Sequence, residues 1–235
     1  MESSVSFVER KVFENISEYC QVVFDVGART DLVFYELRPE LEYHIFEVNP
    51  NFNKVLKEKI EKIPQHKIIH NEFGLSDEDA EAIPYFPESQ STIINPGIGH
   101  DTPADFSVKV KTLEQYIKSV KLKRLDFLKI DTEGLDYGII KAGLPAIDKL
   151  KVPFIQFEYW TGVRKFYELL SNYDLYILNE PVLTSYVGID SPTIPLDEDM
   201  IKTVDETWIP RGLGANVFAI RKDCKVSKEK IFFEL

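Results

Sequence analysis

Residues 127–138 read FLKIDTEGLDYG, an apolar run that closes on Asp131, Glu133 and Asp136, three carboxylates within six positions. A buried or crowded carboxylate is costly unless a cation, a hydrogen-bond donor or a ligand answers it, so this cluster needs an internal partner or a bound molecule. The pattern recurs along the chain. QVVFDVG carries Asp25, EYHIFEVNP carries Glu47 and PFIQFEYW carries Glu158, each near the close of a short run rich in Val, Ile and Phe. Carboxylates in such places can take a proton, accept hydrogen bonds from hydroxyls or face a cation. Any one of them can equally cap the helix that follows; four together are harder to explain by capping.

The elements that must position these acids follow from periodicity. The runs at 21–27, 42–50, 66–76, 125–134 and 153–160 are too short for independent helices and read as buried strands, with DLYILNE and ANVFAIRKD as two more. Helical patterns lie between several of them: NPNFNKVLKEKIEKI, GLDYGIIKAGLPAIDKL, in which Pro145 is expected to bend or end the helix, and RKFYELLSNY. An N-terminal helix is expected within 1–20, with Phe7, Val8, Val12, Phe13 and Ile16 on its apolar face. Residues 81–111 read as an irregular or hairpin insertion, followed by TLEQYIKSV, where Thr112 and Gln115 have capping-box spacing. Residues 180–214, rich in Pro and Gly with interspersed aromatics, read as a lid-like connection. Strand alternating with helix predicts an α/β fold with a mostly parallel sheet and helices on both faces, in one domain over 1–235. In a parallel sheet Asp25, Glu47, Asp131 and Glu158 share the carboxyl edge, where ligands of open α/β sheets bind.

Composition narrows the ligand. A formal net charge of −11 argues against nucleic acid as a partner. No run approaches the length of a membrane span, the first residues lack the layout of a signal peptide, and Cys20 and Cys224 stand far apart without metal-site spacing. These features predict a soluble cytoplasmic protein without membrane insertion. DVGARTD has one glycine where a dinucleotide fingerprint has three, which disfavours NAD. S-adenosylmethionine, with a sulfonium, an ammonium and ribose hydroxyls, complements an acidic edge.

Five motifs in order resemble the FkbM family of S-adenosylmethionine-dependent O-methyltransferases. VVFDVGAR resembles its D-V-G-A-N-x-G loop, HIFEVNP its F-E-P-N-P strand, FGLSD its A-L-S-D, KTLEQYI its S-L-D-x-x element, and LDFLKIDTEGLDYGIIKAG its D-F-L-K-I-D-V-E-G signature. The resemblance spans about 21–160, more loosely to 221. It implies a Rossmann-like class I methyltransferase fold, a seven-stranded sheet with an antiparallel last strand. It also implies roles: Asp25, Gly27 and Ala28 in the first loop against the methionine part of the cofactor, and Glu47 on the ribose hydroxyls with Val48 and Asn49 nearby. Gly74, Leu75 and Ser76 would sit by the adenine, Asp131 under the reacting methyl group, and Glu133 and Glu158 toward the acceptor. Family members methylate sugar hydroxyls in glycans, glycolipids and macrolides, so the implied acceptor is a carbohydrate hydroxyl.

Two positions depart from the family pattern: Arg29 replaces Asn, and Asp31 replaces the second Gly. Either the two pair at the surface, or Arg29 holds the cofactor carboxylate by a charge-assisted bond. Were the loop disabled, the domain would bind a glycan or partner enzyme without turnover. For the acceptor proton the candidates are Asp131, Glu133 and Glu158, with His100 as an alternative base. A second arrangement has Asp131, Asp136 and Glu158 hold Mg²⁺; Asp136 can instead face the helix dipole. Tyr159, Trp160, Tyr186 and Trp208 are candidates for stacking on a sugar ring, and Arg164 and Arg211 for orienting it.

Overall fold

The computed structural model describes residues 5–64, 67–84, 106–132, 134–160, 162–179 and 181–235. In chain order its helices are α1 (Phe7–Ile16), α2 (Val33–Leu37), α3 (Pro50–Ile60), α4 (Leu113–Ser119), α5 (Asp136–Leu150), α6 (Arg164–Leu169), α7 (Pro181–Val187), α8 (Glu198–Thr203) and α9 (Lys228–Ile231). The strands are β1 (Val22–Val26), β2 (Glu42–Phe46), β3 (Ile68–Asn71), β4 (Gly74–Ser76), β5 (Ala80–Pro84), β6 (Ser107–Thr112), β7 (Phe127–Ile130), β8 (Phe154–Tyr159), β9 (Tyr173–Leu178), β10 (Thr193–Pro195) and β11 (Ala215–Arg221).

Among the described residues the main sheet has the order β10-β9-β11-β8-β7-β1-β2-β3, eight strands where seven were expected. The addition is β10, three residues paired antiparallel with β9 at the sheet's edge. β3, β2, β1, β7 and β8 run parallel, and β11, the last strand, inserts antiparallel between β8 and β9. Strand residues alternate between two apolar layers. Val23, Phe127, Phe154 and Phe218 meet α1, α2 and α3 on one face. Phe24, Leu128, Ile155 and Val217 meet α4, α5, α6 and α8 on the other.

Several expectations are corrected. The run 66–76 is two strands: β3 belongs to the main sheet, while β4 pairs with β6 in a second, three-stranded sheet, order β4-β6-β5. The break falls where the Asn71 side chain turns back to donate to the Ile45 carbonyl oxygen at 3.1 Å. The arms of the expected hairpin are β5 and β6, antiparallel, with 85–105 between them outside the described residues. Pro145 does not end its helix, since α5 continues through it to Leu150. The stretch 181–214 holds α7, β10, α8 and two short irregular helical turns rather than open loop. On α1, Phe7 is 71% exposed and Glu9 takes its place on the buried face with Val8, Val12, Phe13 and Ile16.

Candidate functional site

At the ends of β1 and β7 the chain is forced close. Gly27 has φ +83, and a Cβ built on it would lie 1.9 Å from the Asp131 carbonyl oxygen. Only glycine permits this contact. The ladder continues past both strands, Asp131 N donating to Val26 O at 3.0 Å, and Gly27 N donates to Phe46 O at 2.9 Å. The loop is thereby tied to β2 on one side and β7 on the other. Ala28, buried, follows, and then Arg29 at φ +54, a left-handed conformation that Asn adopts more readily than Arg. Arg29 lies over the Phe52 ring at 5.8 Å, and Asp31 meets Lys59 Nζ at 3.6 Å, so both departures find partners on α3.

Asp25 does not stand at the rim. It is the penultimate residue of β1, buried, and its carboxylate is 3.6 Å from the ammonium of Lys129, its cross-strand neighbour on β7. Lys129, only 2% exposed, also donates to Asp131 Oδ2 at 3.2 Å. On β8 the neighbour of Lys129 is Gln156, whose amide donates to Glu9 of α1. Burial raises the Asp25 carboxyl, with Lys129 opposing, and pushes Glu9 up to about 7. Burial would lower Lys129, but Asp131, Asp25 and Glu9 outweigh it and hold the ammonium above the ordinary lysine value.

One residue past β7, Asp131 reaches the edge with its side chain 24% exposed. The β7–β8 register ends at Lys129↔Gln156, two residues before Asp131 and Glu158, and Glu158 is paired with Asn216 of β11. Trp160 Nε1 donates to Glu158 Oε2 at 2.7 Å. Asp136 is internal: it accepts from Thr132 Oγ1 at 2.7 Å and from Glu158 N at 2.9 Å, stitching the ends of β7 and β8. Its burial raises its carboxyl to about 6. With both oxygens engaged it is a poor member of the Mg²⁺ set, and among the described residues no group of three His, Cys, Asp or Glu could hold a metal. Glu133 and His100 lie outside the described residues.

Glu47, the residue after β2, is buried and oriented: Oε2 accepts from Arg29 N at 2.7 Å and Oε1 from Asn49 N at 2.8 Å. Burial raises it to about 7, the backbone amides opposing. Asn49 caps α3 by accepting from Asn51 N. Asn53 supports the same corner by donating to Glu47 O at 2.9 Å, and it meets His70 Nε2 at 2.7 Å. Sequence reasoning missed Asn53, Lys129 and Glu9. The first of these sits one helical turn after the cap in NPNFN, the second inside the signature itself, and the third on the apolar stripe of α1. Gly74 approaches Val48, a Cβ there falling 3.4 Å from its side chain; Leu75 is buried in the core, and Ser76 Oγ donates to Asp77 at 3.1 Å. Of the aromatic candidates, Trp160 and Tyr186 are exposed, while Tyr159 and Trp208 are buried. Arg164 pairs with Glu198 at 3.1 Å, and Arg211 lies 3.5 Å from the Tyr186 carbonyl oxygen.

The strand order β3-β2-β1-β7-β8-β11-β9, with its reversed β11 and its carboxylates at one edge, defines a class I, Rossmann-like methyltransferase fold. The Methyltransferase FkbM domain matches residues 25–174, and the chain belongs to that family of S-adenosylmethionine-dependent methyltransferases. Solved structures similar to it include the precorrin-6y C5,15-methyltransferase of Geobacter metallireducens, 12% identical, covering 94% of each chain, with TM-score 0.44. An S-adenosylmethionine-dependent O-methyltransferase of Thermotoga maritima is 10% identical over 97% of this chain and 69% of that one, with TM-score 0.45. The StiE O-methyltransferase domain is 10% identical over 96% and 76%, with TM-score 0.49. No curated protein matches. Among the described residues no helix is long and apolar enough to cross a membrane.

Proposed function

We propose that this chain is an O-methyltransferase whose acceptor is a hydroxyl, that of a sugar in a glycan or glycosylated product, acting in the cytoplasm as a single catalytic domain. The observation that carries the reading is Asp131, an edge carboxylate one residue past β7, partly exposed and bonded through Oδ2 to Lys129. A carboxylate so placed can accept the proton that an alcohol must lose when its oxygen is methylated.

The residues fit S-adenosylmethionine. Glu47, Asp131 and Glu158, the acids of the edge, match a cationic donor. Both Glu47 oxygens are oriented by backbone amides, and each keeps a lone pair for a ribose hydroxyl. When bound, the cofactor supplies an electrophilic methyl group on a sulfonium. Glu47 would hold the ribose hydroxyls, with Val48 and Gly74 beside it and Leu75 and Ser76 on the side of the adenine. Gly27 and Ala28 close the loop, and Glu158 with Trp160 faces the acceptor. Asp131 receives the acceptor proton at a carboxylate oxygen. The sugar preference is supported by family analogy and by the exposed Trp160 and Tyr186 rings. The free cysteines, Cys20 and Cys224, suit a reducing compartment.

Incubation with methyl-labelled S-adenosylmethionine and a panel of sugars and glycans, with and without EDTA, tests the proposal. Label in an ether that survives EDTA is the expected result. Absence of cofactor binding by calorimetry would favour instead a degenerate domain, to which Arg29 and Asp31 point.

A further inference from the structure

We propose that Lys129 is a positioning residue for Asp131, and that α1 completes the site by supplying Glu9 as the far anchor of the same buried row. The row runs across the middle of the sheet. Asp25 on β1, Lys129 on β7 and Gln156 on β8 are register neighbours, and Glu9 of α1 lies over Gln156 and accepts from its amide. Around them the face is built of Val23, Phe127, Phe154 and Phe218. A buried ion pair in such a setting is seldom worth more than well-packed apolar residues, so stability alone does not account for it.

The geometry gives it a task. The ammonium is drawn toward Asp25 at 3.6 Å, Asp131 at 3.2 Å and, by Coulomb attraction, Glu9. Three carboxylates exceed one ammonium. Burial raises both Glu9, to about 7, and Asp25, while the ammonium's direct contacts are with Asp25 and Asp131. The charge-assisted bond to Oδ2 then fixes the Asp131 carboxylate and leaves its second oxygen able to accept a proton. Glu9 is itself anchored: Oε2 accepts from Ser6 N at 2.8 Å in the capping box of α1. Since Glu9 precedes the matched segment 25–174, the family motifs do not reveal it.

This inference rests on the proposed place of Asp131 beside the donor methyl group, and its test separates the two. Binding of S-adenosylmethionine and S-adenosylhomocysteine to the full chain is measured by calorimetry, without acceptor, for wild type, Asp131→Asn, Lys129→Met and Glu9→Gln/Lys129→Met. The double variant removes the ammonium and one of the two fully buried carboxylates that face it, Asp25 remaining, and its folding is checked by thermal denaturation. The expected result is that Asp131→Asn and the double variant both lower the preference for the cationic donor over its neutral product by about tenfold. If Lys129 were only structural, Asp131 would stay in place with a neighbouring positive charge removed. The preference would then hold or rise in the double variant while still falling in Asp131→Asn, which overturns the inference alone. An unchanged preference in Asp131→Asn overturns the placement of Asp131 and the inference with it. In the wild type, the ¹⁵N resonance of the Lys129 ammonium is expected to shift on donor binding; an unmoved resonance also overturns the inference.

Discussion

Replacing Gly27 by alanine puts one methyl group where the backbone of β7 already is. The new Cβ would stand 1.9 Å from the Asp131 carbonyl oxygen and 3.0 Å from its carbonyl carbon. Ordinary carbon–oxygen contact is about 3.3 Å, so the two strand ends must part by about 1.4 Å. Alanine at φ +83 adds the left-handed penalty of about 1–2 kcal/mol, and overpacking adds about 1–3 kcal/mol. The sum, about 2–5 kcal/mol, corresponds to a fall in Tm of about 4–20 °C for a chain of this length. A displacement above 1 Å at the reacting carboxylate costs about 10²-fold in turnover. Thermal denaturation and labelled methyl transfer measure the two effects. Gly188→Ala is the control, since Gly188 has φ +71 and nothing within 4 Å of its built Cβ; it carries only the backbone penalty of about 1–2 kcal/mol. Should Gly27→Ala match this control in stability and keep wild-type activity, the claim that the glycine exists for the approach of Asp131 is refuted.

Other outcomes are expected. Asp131→Ala abolishes methyl transfer, whereas Glu47→Ala mainly weakens cofactor binding; calorimetry beside the labelled assay separates them, and full activity of the first would move the active site elsewhere. Arg29→Gly stabilises the chain by about 0.5 kcal/mol, because relief of the left-handed strain at φ +54, about 1–2 kcal/mol, exceeds the about 0.4–1 kcal/mol of freedom that glycine adds to the unfolded chain; denaturant midpoints decide. Glu9 adds a pH dependence: its carboxyl rises from 4.5 to about 7, so the folded chain keeps a proton that the unfolded chain has lost. That contribution is present below pH 4.5 and gone above about 7, worth roughly 3 kcal/mol. Wild type should therefore lose stability relative to Glu9→Gln over that window; parallel Tm profiles would contradict the burial argument. Asp136→Ala leaves Thr132 and the Glu158 amide without an acceptor, at a cost of about 2–4 kcal/mol measurable by denaturation.

The strands were readable because their Val, Ile and Phe runs are local and their order follows from alternation with helices. The carboxylates at 47, 131 and 158 were readable for the same reason, each lying at the end of such a run. What escaped is non-local. Lys129 sits inside FLKI, where its charge looks like an interruption of a strand; its partners on β1 and α1 lie more than a hundred residues away, and only register brings them together. Asp25 reads as a rim residue in the sequence, which does not say which carboxylates have a buried cation beside them. The split of 66–76 turns on Asn71 and its bond to Ile45, again a cross-strand contact.

The position of α1 also dictates an order of assembly. Its buried acid meets Gln156, 147 residues later in the chain, and Asn15 at its end donates to the carbonyls of Ile231 and Phe233. At about 5–20 residues per second a ribosome needs about 7–30 s to deliver the first of these surfaces after the helix itself. Throughout that interval α1 is a seam left open, and the sheet has to form before it can be closed.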